Sequence, residues 1–265
     1  MGKRLFLFID VQGKGYLLTF SADGLAPVQS YAFAVETGIA RHLYVTVHPI
    51  NGTGGEAFFN VPVVEIRDAG KNIVTLDALG GRRNVSVSLL GNSNGTLRGT
   101  LVRLAESGQV DFDDLKIDEI SNHIPYKLQF TSEGLIPAFS EPFHVVSGSP
   151  YKLGIVQQPC GARGGLPLAS QPHLMLLDRG SNRVSTPEGT WSVSAVFQNV
   201  TTSGNLKVPF IYGFAQFTDL RIDTLGQTYV VFNVGVPFQL LASEPFNVTS
   251  GPPAFIQILV HPGNG

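Results

Sequence analysis

The sequence predicts an all-β chain of tandem antiparallel β-sandwich domains. Three observations carry that prediction. First, SEPFHVVSG (140–148) and SEPFNVTSG (243–251) are nearly the same nonamer, and SYAFAVETG (30–38) is a looser copy. Their closing glycines stand 110 and 103 residues apart, the length of one small domain. Second, the apolar runs are short and rich in Val, Phe, Ile, Leu and Thr, as strands are. Third, 30 Gly and 17 Pro punctuate those runs with turns.

The elements follow in order from the repeat. RLFLFIDVQGKGYLLTFSADGL (4–25) aligns with DLKIDEISNHIPYKLQFTSEGL (114–135) and FTDLRIDTLGQTYVVFNVGV (217–236). Each has an Ile-Asp pair, a short turn, then Tyr and an alternating strand. Residues 1–38 therefore read as the closing strands of a repeat. Residues 39–148 and 149–251 read as complete copies, and 252–265 as the first strand of a further one. Each complete copy opens with an alternating strand that ends in a Pro turn, at Tyr44–Pro49 and Lys152–Pro159. Next come VPVVEIRDAGKN (61–72) and QPHLMLLDRGSN (171–182), where a strand runs into Asp-x-Gly-x-Asn. Asp68 and Asp178 can accept bonds from backbone N–H groups ahead of them. Gly70 and Gly180 can take positive φ, and Asn72 and Asn182 tolerate it. NVSVSLL (84–90) and TWSVSAVF (190–197) alternate with period two. Roughly seven strands per copy, with turns every 8–12 residues or so, fit an antiparallel sandwich.

Tyr16, Tyr126 and Tyr229 occupy one slot, and two of them stand three residues after a glycine, Gly13 or Gly226. A half-buried ring with a polar tip there fits a tyrosine corner, whose phenol bonds backbone at a strand crossover. The middle copy carries two extra residues near Ser121–Ile124. In the nonamer, Phe143 and Val145 (Phe246 and Val248) should point inward, with His144 and Asn247 outward. Pro142 and Pro245 lack a donor and belong at a strand start, and the last Gly passes the chain to the next domain. With one to three residues between neighbours, the joints should be stiff rather than bead-on-string.

The bulk numbers remove several function classes. A charge of −2, with no basic cluster beyond Arg82–Arg83, gives no pull toward nucleic acid. The single Cys160 excludes a disulfide framework within the chain. No apolar stretch approaches the roughly 18 residues of a transmembrane helix. Asp10 interrupts the N-terminal apolar run too early for a signal peptide core.

At FTDLRIDTLGQTYVVFNV, SEPFNVTSG, VQQP and LLDRGSN the chain resembles the bacterial immunoglobulin-like (invasin-type) repeats of large surface proteins. It is also similar to filamin-type immunoglobulin-like repeats, which end in a comparable Ser-Pro-Phe strand. The resemblance implies immunoglobulin-like sandwiches used for surface reach, adhesion or structure. It brings no catalytic residues and no cofactor.

Candidate chemistry is sparse. GNSNG (91–95) spells G-x-S-x-G, but a nucleophile elbow needs a helix after it, and TLRGTLVRL alternates as a strand. The histidines at 42, 48, 123, 144, 173 and 261 fall in no ligand spacing and read as solvated. Asp111, Asp113, Asp114 and Asp118, with Glu119, offer hard oxygen ligands for calcium at a domain edge. Without a D-x-D-x-D-G loop, the segment reads instead as a charged edge that discourages sheet-to-sheet association. Sequons stand at Asn51, Asn84, Asn94, Asn199 and Asn247. From 13 Asn and 35 Ser or Thr, chance gives roughly two such triplets against five seen. The expectation is a non-enzymatic array at the cell surface or outside the cell. Its partners would be neighbouring repeats and protein or glycan ligands, with no nucleic acid and no membrane insertion. The alternatives are a filamin-like intracellular scaffold that binds partners by strand addition, and an accessory module of a secreted enzyme.

Overall fold

The computed structural model describes residues 7–75, 81–91, 95–186, 190–254 and 256–260. Among these residues there is no helix, and the chain is all-β. It divides into two compact units, Met1–Ser147 and Gly148–Gly265.

The first unit starts with two short antiparallel pairs. Gly13–Tyr16 lies beside Phe33–Val35, and Thr19–Phe20 beside Val28–Gln29. The sandwich proper begins at His42–Val47, the outer strand of a three-stranded sheet with Val63–Arg67 and Gln109–Asp111. The facing sheet runs Val102–Leu104, Asn84–Gly91, Tyr126–Thr131, Ala138–Phe139. Alternation places Val85 and Val87 inward from one central strand and Tyr126, Leu128 and Phe130 inward from the other, all buried. Those side chains meet Val64, Ile66, Val110 and Phe112 of the opposite sheet in one core.

The second unit repeats the order. Lys152–Gln157, His173–Leu177 and Phe214–Gln216 form one sheet, and Lys207–Pro209, Ser192–Val196, Val231–Asn233 and Leu241–Ala242 the other. Its separate core contains Leu174, Leu176, Val193, Phe217 and Phe232. The ring pair Phe112–Phe130, 5.5 Å apart, has its counterpart in Phe217–Phe232 at 5.9 Å. Corresponding positions of the two repeats thus build the same contact inside two independent interiors.

Two details depart from the purely antiparallel expectation. His144–Val146 runs parallel to Asn51–Thr53, and Phe246–Thr249 parallel to Ala162–Arg163. In each unit the opening segment pairs antiparallel in its first half. It then crosses the Pro turn and lies along the closing nonamer. The described strands are also shorter and more numerous than roughly seven per copy, because turns and bulges break the ladders.

Candidate functional site

The features that recur bond for bond are structural devices, and they lie where each repeat closes. The first is the nonamer's serine. Ser140, 2 % exposed, accepts the Leu128 N–H at 2.9 Å and donates to the Glu141 carbonyl at 2.8 Å. Ser243 does the same with Val230 (3.0 Å) and Glu244 (2.9 Å), and Ser30 with Leu18 (3.0 Å) and Tyr31 (2.9 Å). One hydroxyl both accepts and donates, so a single serine stitches the closing strap to the neighbouring strand. The next residue is held from the other side: the Glu141 N–H donates to His48 Nδ1 at 3.1 Å, and the Glu244 N–H to Gln158 Oε1 at 3.2 Å.

His48 is therefore an acceptor for the strap, not merely a solvated side chain, and Gln158 takes its place in the second repeat. The sequence reading of His48 as solvated missed the acceptor role it shares with Gln158. The available signal was that both side chains offer a planar sp² acceptor at the same reach. His144 is also engaged, with Nδ1 2.9 Å from Ser121 Oγ. Beyond the stitch, Phe143, Val145 and Val248 are buried and Phe246 half-buried, while His144 and Asn247 are exposed.

The second device is the Asp-x-Gly-x-Asn turn. Asp68, 4 % exposed, accepts the Asn72 N–H at 2.8 Å, its side-chain amide at 3.0 Å, and the Gly38 N–H at 2.7 Å. Asp178, 1 % exposed, accepts the Asn182 N–H at 2.8 Å, its amide at 3.0 Å, and the Gly148 N–H at 3.0 Å. Gly38 and Gly148 are the residues that end the nonamers. Burial by itself would raise the Asp68 carboxyl; the bonds from the Asn72 side chain and from the Gly38, Asn72 and Gly70 N–H groups outweigh it. They hold Asp68 below the ordinary carboxylate value. Asn72 reaches further: its amide donates to the Asp10 carbonyl at 2.6 Å, and its Oδ1 accepts the Gln12 N–H at 2.9 Å.

The turn corrects one expectation. Positive φ falls on Lys71 (68°) and Ser181 (71°), not on Gly70 or Gly180. Gly70 is needed for room instead: a Cβ there would lie 2.2 Å from the Asp10 carbonyl oxygen. The aspartate's grip on the residues after it drives the left-handed turn hard enough for an ordinary side chain to accept it.

The tyrosines part company. Tyr16 Oη donates to the Val11 carbonyl at 3.0 Å, and Tyr126 Oη to the Glu119 carbonyl at 3.2 Å. Val11 and Glu119 are corresponding residues, each following the Asp of the Ile-Asp pair. The two extra residues of the middle copy are taken up at Asn122 and His123, both at positive φ (42° and 72°). Tyr229 is a correction. Tyr16 stands opposite Phe33 and Tyr126 opposite Phe143, but it is Thr228 that stands opposite Phe246. In the first copy a bulge between Gly13 and Tyr16, with Gly15 at φ 78°, inserts one residue. The third copy has Thr228 in place of that glycine and no bulge, so the register slips by one. Thr228 is buried and Tyr229 is 41 % exposed.

The acidic residues do not converge. Asp114 accepts the Thr100 hydroxyl at 2.6 Å and its N–H at 3.0 Å. The Thr100 hydroxyl is the largest influence holding its carboxyl below the ordinary value, with Arg103 adding to it. Arg103 pairs with both Asp113 and Asp114, Arg98 pairs with Asp118, and Gln109 donates to Asp111. Among the described residues no three His, Cys, Asp or Glu side chains are grouped to hold a metal. In GNSNG, residues 92–94 lie outside the described residues, so the sequon at Asn94 has no structural account; the next element is the strand Leu97–Arg98. Asn51, Asn84 and Asn247 are exposed on strands, and Asn199 is exposed in a bend with φ 56°. Cys160 is exposed.

No protein-family model matches this chain, and no curated protein matches it. Solved structures do. The D0-D1 domain of intimin is 14 % identical over 79 % of this chain and 98 % of that one, with a TM-score of 0.29. Extracellular domains 3-5 of Drosophila OTK are 16 % identical over 81 % and 68 %, with a TM-score of 0.28. The Ig1-2 module of the Drosophila receptor protein tyrosine phosphatase DLAR is 9 % identical over 80 % and 100 %, with a TM-score of 0.19. At such scores the fold assignment rests on the chain's own sheets.

Proposed function

We propose that this chain is a length of a non-catalytic immunoglobulin-like repeat array from a large extracellular or cell-surface protein, serving as a structural stalk or in adhesion. The observation that carries the reading is the recurrence of the same closing bonds in successive copies. Serine stitches the strap at 30, 140 and 243, and a buried aspartate holds the glycine that ends the strap at 38 and 148. A chain that repeats its fastenings at domain spacing is specified for serial assembly. Asp68, Asp178 and His48 are engaged in those fastenings, and Arg98, Arg103, Asp113, Asp114 and Asp118 in ion pairs. The exposed sequons at Asn51, Asn84, Asn199 and Asn247 agree with passage through a secretory route. The test is glycosidase treatment and surface labelling of the protein from its own cells. A mobility shift with surface label supports the reading; unmodified cytosolic recovery would replace it with an intracellular scaffold.

A further inference from the structure

In the first unit the Asp68–Asn72 turn reads backbone alone. Its Asn takes a carbonyl and an N–H two residues apart, Asp10 and Gln12; its Asp takes the Gly38 N–H. Its Gly must be bare, because Asp10 comes so close that no Cβ fits. The side chains of residues 11 and 12 contribute nothing to these three bonds, so any segment with the same backbone course offers the same surface.

The last copy offers the corresponding main-chain groups. Asp10, Gln12 and Gly38 correspond to Asp223, Leu225 and Gly251, each 213 residues on, with the register slip falling only after Gly226. Asp223 is held by two bonds: its N–H goes to the Thr201 carbonyl at 2.9 Å, and its Oδ1 accepts the Gly165 N–H at 2.7 Å. Gly251 crosses Gly164 so closely that a Cβ would fall 2.0 Å from the Gly164 carbonyl oxygen. Asp223 and Leu225 are both exposed, Leu225 at 61 %. The geometry points to the Asp223 carbonyl, the Leu225 N–H and the Gly251 N–H as a docking site for the Asp-x-Gly-x-Asn turn of another repeat of this kind. This rests on the array reading and names the partner that the end of the second repeat accepts. The match is chemical: a buried carboxylate for one N–H, and one carboxamide, donor and acceptor together, for the other two groups. Replacing Gln12 by Leu225 leaves it intact, since only the main chain is read.

The test extends the chain after Gly251 with a second copy of residues 39–148 and follows amide hydrogen exchange by NMR. In the parent chain the Leu225 and Gly251 amides exchange fast, while those of Gln12 and Gly38 are protected. In the extended chain both should slow at least tenfold. Changing the appended copy of Asn72 to Ala should free Leu225 again while Gly251 stays protected. A parallel extension with residues 149–251 covers misfolding of the first graft. No slowing in either extension, with the appended core amides protected in at least one, overturns the proposal. So does slowing that survives the Asn→Ala change at Leu225. Cytosolic recovery of the native protein would remove the extracellular reading and leave this docking untouched.

Discussion

Asp68→Ala is the perturbation that reaches furthest. The carboxylate is buried and accepts the Gly38 N–H at 2.7 Å, the Asn72 N–H at 2.8 Å and the Asn72 amide at 3.0 Å. A hydrogen bond to a charged acceptor is worth about 1.5–3 kcal/mol net. Gly38 is exposed, so water replaces part of what it loses. For the opening that frees Gly38, the loss should therefore be about 2 kcal/mol, or about 30-fold faster exchange of its amide. The assay is residue-resolved hydrogen exchange at neutral pH, with the Gly148 amide on Asp178 as the internal control. Residue resolution matters because a two-unit chain has no single unfolding free energy. The carboxylate's acidity gives an independent arm. Its pKa is lowered on folding, so its contribution is complete above the unfolded value near 3.9 and fades as pH falls through the folded one. Gly38 should accordingly loosen below about pH 4 in the wild type, over and above the intrinsic change in exchange rate, and Asp68→Ala should show no such extra loosening. If Gly38 exchanges at the same rate in both proteins, the turn does not hold the preceding strap and the account of the closure is wrong.

Further expectations concern the same fastenings. Tyr126→Phe removes the bond to the Glu119 carbonyl and should cost about 1 kcal/mol in thermal or urea unfolding of the first unit, whereas Tyr229→Phe should change the second by less than about 0.5 kcal/mol. Ser140→Ala leaves the buried Leu128 N–H without its acceptor and should cost about 1–3 kcal/mol by urea unfolding; Ser243→Ala should match it in the second unit. Gly70→Ala forces a methyl against the Asp10 carbonyl, so the Gln12 and Gly38 amides should lose protection while core amides such as Phe130 keep theirs, read by the same exchange experiment.

How much of this was legible in the residues depends on the range of the interaction. Fold class was legible because burial with period two and turn chemistry are local properties, and the tandem repetition printed each pattern more than once. The inward Phe143 and Val145 and the aspartates of the two turns could be read the same way. The phase of the Tyr229 strand could not. Glycine-to-tyrosine spacing is the same in two copies, and only a bulge at Gly15, absent at Thr228, decides which residue faces the core.

The sequence by itself settled the all-β fold class, because that follows from side-chain pattern and bare repetition. Tertiary structure alone decided what the fastenings hold. Asp68 is 30 positions from Gly38, Asn72 is 60 from Gln12, and Glu141 is 93 from His48. Pairs that far apart are chosen by how strands stack in space, and main-chain groups, identical at every residue, leave no mark in the letters to reveal them.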